Sequence, residues 1–154
     1  MSEISEHKLK FSELKTKHDY AADEVISALQ KSIRRGNEHD AIFFAYELLV
    51  TGGRIEEKCW ERLRVIVVED IGIANPGLIT TIAALHDMYK YLSQNDREDK
   101  FLQGFLAVIL LARSQKDRYV DELYNNMRDK IETEGYRVNI PDYAIDKHTK
   151  KGKE

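Results

Sequence analysis

Leu63-Arg64-Val65-Ile66-Val67-Val68-Glu69-Asp70-Ile71-Gly72-Ile73-Ala74-Asn75-Pro76 decides the fold. Val65 to Val68 are apolar without a break, and a helix that is apolar all round is buried all round. Glu69 and Asp70 follow at the C-terminal end, where the helix dipole is already negative and disfavours anions. Gly72 fits the positive-φ position that ends a helix. Asn75 and Pro76 fit the N-cap and first turn of the next one. The stretch therefore predicts a buried helix, a tight stop and a second helix. Helical spacing sets Asp70 on one stripe with Cys59, Leu63, Ile66 and Val67, with Glu69 beside it. A buried carboxylate is too costly to keep charged alone. A cationic or backbone partner is expected, with Arg34 or Lys31 as the first candidates.

The chain on either side reads as helices. A first helix is predicted over about 21–35, with Ala22, Val25, Ile26, Leu29 and Ile33 at helical spacing and Gly36 as its stop. Lys31, Arg34 and Arg35 crowd its last turn, where positive charge is favoured. Asn37 caps a second helix over about 38–50, so close behind that the two form a hairpin. Gly52-Gly53 ends it. The third helix spans about 55–71 and the fourth about 76–93, with Ile79, Ile82, Ala83, Leu85, Tyr89 and Leu92 on its apolar side. A fifth, about 97–113, is nearly all apolar and is expected to lie centrally beside the third. Its Gly104 costs about 1 kcal/mol relative to alanine in a helix interior, which a close helix crossing would offset. The sixth runs to about 133, with Tyr119, Leu123, Met127 and Ile131 on one face and Gly135 as its stop. Residues 136–146 read as an extended segment pinned by Val138, Ile140, Pro141 and Tyr143. Three regions follow: a polar N-terminal segment or linker over 1–19, anchored by Phe11 and Leu14; a helical domain over 20–146; and a lysine-rich disordered tail over 147–154.

Composition narrows the function. The 154 residues fit one domain, large enough to bury about 70% of its unfolded surface. With 24 Lys and Arg against 27 Asp and Glu, the net charge of −3 is not that of a strongly basic nucleic-acid binder. The single cysteine, Cys59, forms no internal disulfide and fits a reducing compartment. No apolar run reaches the roughly 20 residues that span a bilayer, and the charged Met1–Phe11 has no signal-peptide core. A cytoplasmic, all-helical protein is expected.

No catalytic apparatus stands out. Glu69 and Asp70 as paired acid and base groups would need a nucleophile or metal beside them, and a structural ion-pair network is the better reading. Histidines 7, 18, 39, 86 and 148 lack metal-ligand spacing. His18, near Tyr20, reads as a packed or capping group. Cys59 reads as a buried, inert thiol. Lys147, Lys150, Lys151 and Lys153 read as a solvated tail. Tyr89, Tyr91 and Leu92, at the end of the fourth helix, fit a subunit contact and a core edge equally well.

The order of motifs is more specific. His18-Asp19-Tyr20, Val25-Ile26-Ser27-Ala28-Leu29 and Lys31-Ser32-Ile33-Arg34-Arg35-Gly36 come first. Asp40-Ala41, Val68 to Pro76, Ile109-Leu110-Leu111-Ala112 to Lys116, and Ile140-Pro141-Asp142 with His148 follow. Over roughly residues 18–148 this resembles the C-terminal domain of the replication-associated recombination ATPases, the RarA or MgsA family. The Werner-helicase-interacting protein is the family's eukaryotic relative. The resemblance implies a helical collar, like that of clamp loaders, followed by an oligomerisation region. It also implies homotetramers acting at stalled replication forks, with DNA ends and the single-strand-binding protein as partners. The sequence departs from the family in lacking Gly-x-x-x-x-Gly-Lys-Ser/Thr, the loop that holds ATP phosphates. It also lacks the family's glycine-rich C-terminal extension. ATP hydrolysis is therefore not carried over, and the chain reads as either a stand-alone relative or a piece of a longer protein.

The expected fold is an all-α, six-helix orthogonal or collar-like bundle. The expected function is a noncatalytic, cofactor-free module for oligomerisation and partner binding in DNA replication or repair, as a homotetramer. DNA, the single-strand-binding protein or a separate ATPase subunit are its candidate partners, and no membrane. The candidate ion-pair or partner-binding residues are Lys31, Arg34, Arg35, Glu69 and Asp70. The alternative is direct DNA binding through Lys31, Arg34, Arg35 and Arg64.

Overall fold

A computed structural model describes residues 9–154; His7 and the first part of the expected N-terminal segment lie outside them. The described residues form no strand, and the fold is all-α. The helices are α1 (Ala22–Arg34), α2 (Glu38–Thr51), α3 (Gly53–Ile66), α4 (Gly77–Gln94), α5 (Lys100–Arg113), α6 (Tyr119–Glu132) and a single turn, α7 (Lys150–Lys153). The described chain divides into two compact units, one ending at Asp121 and the other Glu122–Glu154.

Local chemistry explains most helix ends in the first unit. Gly36, at φ +72°, closes α1, with its N–H donating to Ile33 O at 2.9 Å. The Asn37 side chain then accepts from Asp40 N at 3.2 Å and starts α2. A positive φ at both Gly52 and Gly53 joins α2 to α3. α1 packs on α2, α2 on α3 and α5, and α4 on α5. The core between them holds Leu29, Ile33, Leu48, Leu63, Ile82 and Leu111, all fully buried. Cys59 is buried among them, and burial, with Glu56 nearby, pushes its thiol well above the ordinary range. On α4 the buried stripe is Leu78, Ile82, Leu85 and Tyr89, while Ile79 turns outward.

The described residues before α1 are docked. Phe11–Glu13 make a 3-10 turn, Leu14 and Thr16 are buried, and Lys15 bridges to Ala21. Thr16 and His18 hold Glu47, a buried carboxylate on α2. Thr16 Oγ1 donates to Glu47 Oε1 at 2.6 Å, His18 N donates to the same oxygen at 2.8 Å, and His18 Nδ1 lies 2.6 Å from Oε2.

The third helix does not run to Ile71 as a plain α-helix. It ends at Ile66, and Val67–Ile71 form a π-helical turn. Gly72, at φ +51°, and a 3-10 turn over Gly72–Ala74 lead to α4. The expectation that Val65 to Val68 are buried on every side is corrected: Ile66 and Val67 are buried, but Val65 and Val68 are exposed. An unbroken apolar run marks a helix without saying which of its sides this chain covers. The same holds for α5. Gly104, Ala107, Val108, Leu111 and Ala112 are buried, whereas Leu102 is 67% and Leu106 46% exposed.

The second unit continues α6 and then runs largely without regular structure to a 3-10 turn at Asp142–Ala144. Thr149 Oγ1 caps the turn α7, accepting from Gly152 N at 3.0 Å. The expected pins do not hold this segment: Val138, Ile140 and Tyr143 are all exposed, Tyr143 at 90%.

Candidate functional site

The π turn sets Glu69 and Asp70 side by side facing the bundle. Asp70 has no solvent contact, and Glu69 is about a quarter exposed. Three side chains answer Asp70. From α1, Arg34 Nε donates to Oδ1 at 2.7 Å, and Gln30 Nε2 donates to Oδ2 at 3.0 Å. From just before α6, Arg118 places its Nε 3.4 Å from Oδ1. Both arginines also approach Glu69 Oε1, each at 3.7 Å. Arg118 Nη2 donates to Asp121 Oδ2 at 2.9 Å. The backbone joins in, with Asp117 N donating to Asp70 O at 2.8 Å. This acidic turn thus ties the end of α1 and the start of α6 to the end of α3.

Lys116 lies in the same connector. Its Nζ donates to Ala112 O at 2.8 Å and to Ser114 O at 2.5 Å. Burial lowers its pKa, and the charge of Asp70 pulls the other way. The network is a fixed, charge-paired joint. Both side-chain carboxylates are paired with guanidinium groups, an arrangement that fits a structural ion-pair network.

A cleft of about 270 Å³ opens between α3 and α4, lined by Glu56, Trp60, His86, Tyr89 and Lys90, among others. Its wall is stacked and paired. Trp60 lies over His86 with ring centroids 4.7 Å apart. The Tyr89 hydroxyl donates to Glu56, and Lys100 Nζ is 3.3 Å from the same carboxylate. Burial, followed by the Glu56 contact, raises the Tyr89 pKa, so the phenol stays a donor. Burial, with Lys90 and Arg64 adding to it, lowers that of His86, so the imidazole stays neutral at pH 7. Among the described residues no group of three or more His, Cys, Asp or Glu side chains is placed to hold a metal ion.

Residues 36–154 match the family model described as MgsA AAA+ ATPase C terminal. The chain belongs to this family. It is also 28% identical, over 125 residues, to the replication-associated recombination protein A of Haemophilus influenzae, a match that covers 81% of this chain and 26% of that protein. The chain therefore spans about a quarter of that relative's length.

The family's matched region includes the acidic turn but stops short of the α1 residues that pair with it. Arg34 is at the joint. Lys31 and Arg35 are exposed and reach neither carboxylate. Arg64 turns to His86, its Nη1 3.3 Å from Nδ1. Sequence reasoning missed Arg118 and Gln30. Gln30 sits one turn before Arg34, so α1 spacing held a signal for it. Arg118 falls in a connector with no periodicity to read. Glu47 was also missed, because a carboxylate next to apolar Leu48 and Leu49 looks like a solvated position until its partners are known.

Proposed function

We propose that this chain is a noncatalytic assembly and partner-binding module in DNA replication or recombination, and that it self-associates, four copies together. The family membership supports the cellular setting. One structural observation carries the assembly part: within Glu122–Glu154 no side chain is buried, although Leu123, Tyr124, Met127, Val138, Ile140 and Tyr143 are all large and apolar. A segment this rich in apolar groups and without a core of its own is stabilised by covering that surface, and clustered exposed apolar groups mark contact sites. The relative is named for recombination associated with replication, and the same setting is assigned to this chain. No helix among the described residues is long and apolar enough to cross a membrane, which fits a cytoplasmic module.

Light scattering of the full chain at micromolar concentration tests this. A mass near four times 17.9 kDa is expected; a monomer at every accessible concentration overturns it.

A second reading, direct DNA binding, is favoured by Lys31 and Arg35, which stand exposed at the end of α1 without a carboxylate partner among the described residues. It expects labelled DNA to be retained at low salt and released steeply as salt rises. No retention at low salt removes it.

A further inference from the structure

We propose that the strap before α1, residues 9–20, is a releasable latch: it lifts off α2 as one piece while the helices stay folded, and the charge of Glu47 holds it shut. Closed, it fixes where the chain ahead of Leu9 leaves the bundle. Open, it is a twelve-residue tether with a reach of about 40 Å.

The strap has a structure of its own. Thr16 N donates to Tyr20 O at 2.8 Å, Asp19 N to Thr16 O at 2.9 Å, and Tyr20 N to Thr16 Oγ1 at 3.1 Å. Residues 16–20 are thus a turn closed by its own hydrogen bonds. Its hold on the helices is thin. Of residues 9–20 only Leu14 and Thr16 are buried, with Leu9 and Phe11 partly covered. Segments with few buried apolar contacts are the first to open. The polar ties besides Glu47 are Lys17 N to Thr51 Oγ1 and Arg54 Nη1 to Leu9 O, both at 2.8 Å. Lys58 Nζ adds a contact 5.8 Å over the Phe11 ring. At the hinge, Ala22 N donates to Leu14 O at 3.0 Å.

Glu47 is the strongest of the ties. Its oxygens take the Thr16 hydroxyl, the His18 N–H and the His18 ring, and hydrogen bonds to a charged group are about twice as strong as neutral ones. Among the described residues both partners of this carboxylate belong to the strap. That separates it from Asp70, whose partners stand on α1 and on the connector before α6. When the strap lifts, Thr16 and His18 leave together and water takes their place at the carboxylate, so no charge is left buried and unpaired. The closed and open forms are two discrete states, and one side chain sets the balance between them.

Native-state hydrogen exchange of the full chain tests the latch. The amides of Lys17, His18 and Tyr20 are expected to exchange through one shared opening, faster than those of Leu48 and Val108, which wait for the bundle to unfold. Glu47→Gln keeps the shape of the side chain and loses its charge, and should speed exchange at the three strap amides by roughly tenfold or more. His18→Ala leaves the carboxylate in place and should act in the same direction, which covers a failure of Glu47→Gln to fold. Ile82→Val, in the core on α4, should speed Leu48 and Val108 by roughly twofold to tenfold and leave the strap amides as they were. Strap amides that exchange at the bundle rate, or that accelerate equally in Ile82→Val, overturn the proposal. So do strap rates unchanged by both Glu47→Gln and His18→Ala.

Discussion

A carboxylate without solvent contact survives folding only if its charge is answered. Asp70 is answered twice by guanidinium and once by amide, from α1 and from the connector before α6. Asp70→Ala leaves Arg34 and Arg118 partly buried and facing each other. Removing one side of such a pair costs about 3–5 kcal/mol, and the urea midpoint should fall accordingly. Little change there would show that the joint contributes no net stability. Glu47 gives a pH signature. Burial pushes its pKa up, but hydrogen bonds from Thr16 and His18, with the His18 charge, outweigh this and hold it below the ordinary 4.5. A carboxyl that binds its proton more weakly when folded stabilises the fold above the unfolded value, and that gain is lost as pH falls through the folded value. Between about pH 5 and about pH 3 the wild type should therefore lose more unfolding free energy than Glu47→Gln. Parallel losses would show that Glu47 contributes nothing to acid sensitivity.

At the scale of elements, the crossing of α2 and α5 turns on one missing methyl group. A Cβ built on Gly104 would lie 2.6 Å from Leu49 Cδ1, so that side chain must shift, and Leu49 is itself buried. Gly104→Ala gains about 1 kcal/mol of helix propensity against about 1–3 kcal/mol of overpacking. A net loss of about 1 kcal/mol is expected, read as a lower melting temperature. Shortening Leu49 in the same molecule should recover part of the overpacking cost. This crossing was legible in the sequence, because a glycine inside a strongly apolar helix asks for a close neighbour. So were the Gly36-Asn37 hairpin and the stop at Gly72, where backbone chemistry is local. The π turn was not legible. Apolar spacing places side chains on faces and carries no mark of the hydrogen-bond register, so Val67–Ile71 read as plain helix. The joint was legible only in half. Arg34 stands at a helix end facing an acidic turn, whereas Arg118 reaches Asp70 from a connector whose path only the fold defines.

Taken whole, the first unit has the core that a chain of this size is able to build, and the second unit has none. Composition reported the apolar content of both and was silent on how it is shared between the chain's own interior and surfaces left for others. That is why Leu102 and Leu106 on α5, and residues 136–146, read as covered and are in fact open. One buried group has a practical consequence for the molecule. Cys59 is the chain's single cysteine and lies sealed in the core with its thiol held protonated. Thiolate is the reacting form, so the folded protein is silent toward maleimide and iodoacetamide. A cysteine added anywhere on its surface becomes a unique handle for a dye or spin label, with no native thiol to remove first.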